Sequence, residues 1–181
     1  MANVKKYILT AVTLGLIAAG GALLIAGTNM ITRDRIAENE QKSINNGIST
    51  IYGQDFYSDN DYDVDNYIYV KHVYVIHNSY VSANIPAGYA FRTTGSNNYG
   101  KISLIIGFDR ECIYKGLSIV TNEQSFASTL KKGYLDEIKD GSKSVKDVSV
   151  SCGATFGAKL VRDMVNEAEQ AVKDLVGVNN G

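Results

Sequence analysis

Residues 150–155 bring small side chains together and place a threonine hydroxyl at the start of a long helical pattern. Gly153 and Ala154 leave the backbone open to close approach by a ligand, and Thr155 stands where the helix is expected to begin. The first backbone N–H groups of a helix lack acceptors within the helix and lie at the positive end of its dipole. The segment therefore predicts an anion site, in which a phosphate ester on the Thr155 hydroxyl would lie among these donors.

The same hydroxyl has a second interpretation, as an ordinary helix N-cap. Threonine is common at that position because its oxygen accepts a hydrogen bond from a free N–H of the first turn. Taken alone, a Gly-Ala-Thr segment before a helix is a weak signal, and the spacing favours the cap. Both interpretations of Thr155 stay open on spacing alone.

Composition argues against other kinds of site. The chain has 18 Lys and Arg against 19 Asp and Glu, a formal net charge of −1, so a nucleic-acid partner is not expected. Cys112 and Cys152 are far apart in the sequence, and only His72 and His77 are available to complete a metal site. Zinc ligands normally cluster more closely than this. We therefore predict free thiols and no metal site.

Residues 7–27 contain no charged side chain and follow a pair of lysines. About 20 such residues suffice to cross a bilayer as a helix. A cleaved export signal begins in the same way, but residues 23–25 continue the apolar run past the small residues where cleavage would occur. We predict a retained single-pass membrane anchor over residues 1–28. Its resemblance to a signal anchor places the globular domain on the extracytoplasmic side of the cell membrane.

The elements that follow must position the Thr155 segment. Isoleucines at mostly helical spacing predict an amphipathic stem helix over residues 29–56, and the Asp- and Asn-rich residues 57–66 are predicted to form a surface loop. Four segments dense in β-branched and aromatic residues then predict strands, with short polar connections that favour antiparallel hairpins. These segments are residues 67–77, 88–93, 101–108 and 113–121.

Two helices are predicted after the strands. The first covers residues 125–139, with Gly133 weakening its middle and residues 140–142 ending it. Its predicted inward-facing residues are Phe126, Leu130, Leu135 and Ile138. The second begins at Thr155 and has a broad apolar stripe as far as residue 176. Strands grouped before helices imply an α+β domain over residues 57–181, with a mainly antiparallel sheet.

Four stretches of the chain together resemble the G subunit of the Rnf complex, which is related to the C subunit of the sodium-pumping NADH:quinone reductase. Residues 29–40, directly after a single anchor, are similar to the family's exit from the membrane. Residues 88–91, 100–109 and 116–119 resemble the family's flavin-binding domain in order and spacing. The length of the chain fits the Rnf subunit better than its longer relative.

The resemblance implies a covalent cofactor. In that family the threonine of a Ser-Gly-Ala-Thr motif receives flavin mononucleotide (FMN) as a phosphoester, installed by a separate magnesium-dependent flavin transferase, and the matching threonine is Thr155. The resemblance also implies that Glu123 lies in the loop over the ring system. The implied flavin turn is formed by Cys152, Gly153 and Ala154. The redox chemistry would belong to the flavin, so no catalytic side chain is expected in the protein itself.

The resemblance also implies that the chain functions as one subunit of a larger complex. The chain would be an electron-transfer subunit of a membrane-bound, ion-translocating ferredoxin:NAD oxidoreductase, not a complete enzyme. Its implied partners are further integral membrane subunits and subunits that carry iron–sulfur clusters or flavin. A single anchor cannot form an ion path, so these partners would supply it.

The chain departs from the family pattern at three places. Cys152 stands where the family has Ser, and Ser149 stands where its motif has Asp. Residues 123–128 replace a Glu-Thr-Pro-Gly-Leu-Gly loop, and they put Phe126 where it would either stack on the flavin or join the core. The departures motivate a second hypothesis, a flavin-free membrane-tethered assembly or binding module of the same fold. A third hypothesis is a stand-alone extracellular flavoprotein reductase.

Overall fold

The structure is a computed structural model that describes residues 2–64, 66–81 and 85–177. It divides into two compact units, Met1–Lys42 and Ser43–Gly181. Helix α1 (Ala2–Tyr52) forms the first unit and continues into the second. The predicted anchor and most of the predicted stem are therefore parts of one helix, and the last ten residues of that helix belong to the globular unit.

The N-terminal part of α1 has the length and composition of a membrane-spanning helix. Its large apolar side chains are exposed on all sides, and Leu9, Leu16 and Leu23 are each about 70% exposed. Its few hydroxyls are bonded within the helix, since Thr10 donates to the carbonyl of Lys6 at 2.9 Å. Such internal bonds satisfy polar groups where no water is present. Among the described residues, one helix is thus apolar enough for a membrane anchor, as predicted.

The second unit is built on a five-stranded antiparallel sheet in the order β1-β2-β3-β4-β5. The strands are β1 (Phe56–Asp63), β2 (Val70–Asn78), β3 (Gly88–Asn97), β4 (Gly100–Asp109) and β5 (Tyr114–Asn122). Each strand pairs with the next one along the chain. The four predicted strands and the hairpins between the last three are confirmed, as is the α+β class.

The prediction of a surface loop over residues 57–66 is wrong for most of that segment. Its backbone forms the edge strand β1, in which Phe56 pairs with Asn78 and Asp63 with His72, with a bulge between Asp59 and Asp61. The Asp- and Asn-rich composition led to the wrong prediction because backbone pairing with a neighbouring strand overrides a low β-propensity. A polar, bulged edge strand also discourages pairing with other chains.

The two faces of the sheet are covered by different helices. The last turns of α1 pack Ile44, Ile48 and Tyr52 on one face, together with Ile105 of β4. The Tyr52 hydroxyl accepts a hydrogen bond from the Phe108 backbone N–H at 3.0 Å, which ties α1 to β4. The other face carries the larger core, formed with the helices that follow the sheet.

The helix predicted over residues 125–139 is broken into three pieces. These are α2 (Ala127–Leu130), a π-helical turn (Lys131–Leu135) and α3 (Asp136–Ile138). Leu130, Leu135 and Ile138 are buried as predicted, but the inward orientation of Phe126 is wrong because its side chain is 52% exposed. Phe126 precedes α2 with non-helical dihedrals (φ −112°, ψ 38°), so its side chain does not follow the buried face of the helix.

The last helix, α4 (Thr155–Val176), packs mainly on β3 and carries the predicted apolar stripe. Its buried large apolar residues are Leu160, Val161, Met164, Val165 and Val172. The prediction fails only for Leu175 and Val176, which are exposed in the last turn. Gly177 follows in the left-handed conformation (φ 74°) that commonly ends a helix.

Candidate functional site

The start of α4 leaves a hydroxyl and several backbone donors free. The N-cap is Ala154 (φ −121°, ψ 46°) without a side-chain cap, and Thr155 is the first helical residue. The interpretation of Thr155 as the N-cap is therefore wrong. The first backbone bond of the helix runs from the Ala158 N–H to the Ala154 carbonyl at 3.0 Å. Within the described residues, the Thr155 hydroxyl and the N–H groups of Thr155, Phe156 and Gly157 have no hydrogen-bond partner.

The loop before α4 is held by side chains from two helices. Arg162 of α4 donates to the Val148 carbonyl at 2.7 Å, and the Tyr134 hydroxyl donates to the Val145 carbonyl at 3.2 Å. Burial raises the pKa of Tyr134, which keeps this hydroxyl protonated as a donor. The loop is thus fixed at two carbonyls ahead of Thr155.

Close packing fixes the same loop again at Cys152. A Cβ atom built on Gly133 would lie 2.9 Å from the Cys152 Cβ and 3.2 Å from the Cys152 carbonyl oxygen. Gly133 lies in the π-helical turn, so the turn can approach the loop only because this residue has no side chain. Gly153 then adopts a left-handed conformation (φ 79°) that directs the chain into α4.

A cavity of about 220 Å³ opens beside Thr155. It is formed by the α4 start, the segment before α2 and the β3–β4 turn. Its lining residues are Tyr99, Gln124, Phe126, Leu130, Gly153, Ala154, Thr155, Phe156 and Gly157. The site therefore combines the free donors of a helix start with a mainly apolar wall.

Three aromatic rings form the rim of this cavity. The ring centroids of Tyr99 and Phe156 are 5.4 Å apart in a stacked arrangement, and those of Tyr99 and Phe126 are 6.1 Å apart. All three side chains are partly exposed. Exposed aromatic faces beside a cavity suit a flat, apolar ligand.

Gln124 is the buried polar residue of the cavity, with only 6% of its surface exposed. Its Nε2 donates to the Gly100 carbonyl, and its backbone N–H donates to Asn122 Oδ1 at 3.2 Å. Sequence interpretation missed Gln124, Tyr99 and Phe156. No local pattern identifies them, because they meet only through the pairing of distant segments.

The structure brings some of the predicted flavin residues together and separates others. Gly153, Ala154, Thr155 and Phe126 line one cavity. Cys152 lies behind the cavity wall, partly buried against Gly133. The Glu123 side chain is exposed and does not line the cavity, while the Glu123 backbone N–H donates to the Lys101 carbonyl at 2.8 Å.

The site fits part of an FMN molecule. A phosphate suits the free N–H groups at the start of α4, and a flat ring suits the aromatic rim. A cavity of about 220 Å³ is smaller than the roughly 300 to 1,000 Å³ of most ligand pockets, so part of the cofactor would lie outside it. In the described parts of the chain, no three His, Cys, Asp or Glu side chains are grouped as metal ligands.

Residues 1–51 match the family model described as the RnfG N-terminal region. The match covers all but the last residue of α1 and ends before the sheet, so the cavity lies outside it. The chain has no significant match among curated proteins.

Proposed function

We propose that this chain, whose N-terminal region matches the RnfG family model, is a subunit of an Rnf complex that carries FMN as a phosphoester on Thr155 and transfers electrons through it. FMN supplies the redox chemistry, since its ring system accepts and releases electrons. The protein supplies the attachment point, the burial and the hydrogen bonds. The anchor helix keeps this cofactor beside the membrane.

The observation that carries the proposal is the free Thr155 hydroxyl at the start of a 22-residue helix. A threonine at an ordinary helix start would use its hydroxyl as a cap, whereas here Ala154 occupies the cap position without a side-chain bond. Esterification would place phosphate charge beside the unpaired N–H groups of the first turn. A negative charge at this end of a helix is stabilised by about 0.3–1 kcal/mol, and by up to about 2 kcal/mol when partly buried.

The departures at Ser149 and Cys152 are compatible with this attachment. The Ser149 hydroxyl accepts a hydrogen bond from the Ser151 N–H at 3.2 Å, a local turn contact that an Asp side chain also makes. Cys152 packs against Gly133 through its Cβ, a contact in which sulfur and oxygen side chains are interchangeable. Neither residue occupies the space beside the Thr155 hydroxyl that the ester needs.

The proposal requires partner subunits that supply an ion path and exchange electrons with the flavin. The described residues include one helix apolar enough to span a membrane, and a single helix forms no ion path. Integral membrane subunits would therefore supply the path, and subunits with iron–sulfur clusters or flavin would exchange electrons with the FMN. A flavin transferase would form the ester. We place the globular unit on the extracytoplasmic side of the membrane.

The attachment is tested by intact-mass measurement of the full chain expressed with a flavin transferase. Wild type should gain the mass of one FMN less one water, and Thr155→Val should gain nothing. Thr129→Val is the matched control, because the Thr129 methyl would lie 3.3 Å from a Cβ at Gly153 but its hydroxyl is outside the cavity. Thr129→Val should carry FMN as wild type does. An unmodified wild type, with a transferase that modifies another substrate, would contradict the ester.

The alternative is a flavin-free assembly or binding module that kept the fold. The small cavity favours it, as does a loop before α2 in which the side chain of Phe126 stands at the cavity rim. The chain purified from its native membrane with its neighbours attached distinguishes the two. Yellow, fluorescent protein supports the flavin subunit, and colourless protein supports the module.

A further inference from the structure

Gln124 has a side-chain orientation that is fixed by its surroundings. Its Nε2 donates to the Gly100 carbonyl, and that carbonyl can only accept, so the amide nitrogen must face it. Gly100 (φ 129°) cannot be replaced without a clash, because a Cβ there would lie 2.2 Å from the Glu123 carbonyl oxygen. The amide oxygen of Gln124 is therefore held on the opposite side of the side chain.

The Oε1 atom of Gln124 faces the start of α4 inside the cavity. It lies 3.4 Å from the position of a Cβ built on Gly157, and both residues line the cavity. No donor among the described residues bonds to this oxygen. The oxygen is not a buried orphan but is reached by solvent on the cavity side, so it is free to accept a hydrogen bond from a donor on a ligand there.

The other lining residues of the cavity indicate which part of a ligand would supply the donor. Tyr99, Phe126 and Leu130 give the cavity aromatic and aliphatic walls, which suit a flat ring better than a polyol chain. The oxidised isoalloxazine ring has a single N–H group, at N3. Gln124 thus presents an acceptor where the ring has one donor to offer.

We propose that Gln124 positions the flavin ring by accepting a hydrogen bond from its N3–H at Oε1. The inference rests on the proposed function for the identity of the ligand, but it does not require the ester at Thr155. Glu123, the adjacent residue, takes no part because its side chain is outside the cavity.

The test is a binding titration of the unmodified full chain, produced without a flavin transferase and kept in detergent. FMN and 3-methyl-FMN, in which the N3–H is replaced by a methyl group, are each titrated by their fluorescence. Wild type should bind FMN about tenfold more tightly than 3-methyl-FMN, the factor expected for one hydrogen bond of about 1.4 kcal/mol. Gln124→Met, which keeps the length of the side chain, should bind FMN about tenfold more weakly and lose the preference. Glu123→Gln should keep both affinity and preference.

Each outcome decides for or against Gln124. Equal binding of the two flavins by wild type, a preference that persists in Gln124→Met, or absence of saturable FMN binding overturns the inference. If Gln124→Met does not fold, the inference is decided by whether wild type and Glu123→Gln both prefer FMN to 3-methyl-FMN. A covalent FMN by mass without the N3 preference retains the proposed function and removes this inference. The preference without covalent FMN retains the inference and removes the ester.

Discussion

The two long helices of this protein are both rich in apolar residues, but they expose them differently. In the first unit, α1 leaves large apolar side chains such as Leu16 and Leu23 about 70% exposed. In α4, Met164 and Val161 are fully buried, and polar residues cover the opposite side. An apolar surface on all sides suits lipid, whereas a single apolar stripe suits a protein core.

The same division separates the region that matches a family model from the region that holds the candidate site. The family match covers residues 1–51, nearly all of α1, a helix long and apolar enough to span a membrane. The cavity is built from three segments beyond that match, at Tyr99, at residues 124–130 and around the start of α4. Its chemistry depends on how distant segments meet. The family likeness therefore concerns the apolar helix, and the candidate site is argued from geometry alone.

The largest expected difference between the two helices is the effect of truncating an apolar side chain. Met164→Ala should lower the free energy of unfolding of the globular unit by about 2–5 kcal/mol, because it leaves a cavity in a closed core. Leu23→Ala, on an exposed position of α1, should leave it unchanged within about 0.5 kcal/mol. Urea unfolding in detergent, followed by tyrosine fluorescence, measures both. Equal losses would contradict the different roles of the two apolar surfaces.

Much of the fold is predictable from local pattern. The strands within residues 67–121 and the buried stripe of α4 follow from the spacing of apolar and β-branched residues. Strand β1 does not, because its residues pair through the backbone with β2 and their side chains carry no strand signal. The π-helical turn was not predicted either, and its close approach to Cys152 at Gly133 involves a later segment of the chain.

The candidate site is predictable only where it is local. The position of Thr155 at a helix start follows from neighbouring residues. The exposure of Phe126 and the burial of Gln124 do not, because they depend on bonds between the β3–β4 turn and the segment before α2. One such bond runs from the Ser125 N–H to the Tyr99 carbonyl at 2.7 Å. The sequence gives no pattern for contacts of this range.

A smaller difference in stability is expected between alanine substitutions of two glycines within helical segments. In Gly133→Ala, the new methyl group would lie 2.9 Å from the Cys152 Cβ, so the loop before Thr155 must move. We expect a loss of about 1–3 kcal/mol in the free energy of unfolding, as for other overpacked sites, and less covalent FMN by intact mass. Gly21→Ala in α1 should change neither, because nothing lies within 4 Å of the added Cβ.

That pair of variants also tests whether the loop supports the attachment. Gly133→Ala that incorporates FMN as fast as wild type would show that the geometry before Thr155 is not limiting. A loss in Gly21→Ala as large as that in Gly133→Ala would indicate that α1 is packed at this position, contrary to its open surroundings.

The smallest expected difference is in the stability contributed by two ion pairs. In both pairs the residues are four apart in the sequence and the nitrogen–oxygen distance is the same. Glu38 and Lys42 of α1 are 2.7 Å apart and more than half exposed, whereas Glu169 and Lys173 of α4 are 2.7 Å apart and about 30% exposed. The hydrogen bond from Lys173, with a further contribution from Lys146, holds the pKa of Glu169 below its usual value of 4.5. The ionised carboxylate is therefore favoured in the folded chain.

This lowered pKa sets the pH range in which Glu169 contributes to stability. The contribution is complete above the pKa of the unfolded chain and is lost as the pH falls through the lower pKa of the folded chain. Glu169→Gln should therefore cost less than about 1 kcal/mol at pH 7, and the cost should vanish as the pH falls through the lowered pKa of the folded chain. Glu38→Gln, outside the globular unit, should leave its unfolding unchanged across that range. Urea unfolding at several pH values measures the difference, and a cost for Glu169→Gln that does not depend on pH would show that packing, not charge, is responsible.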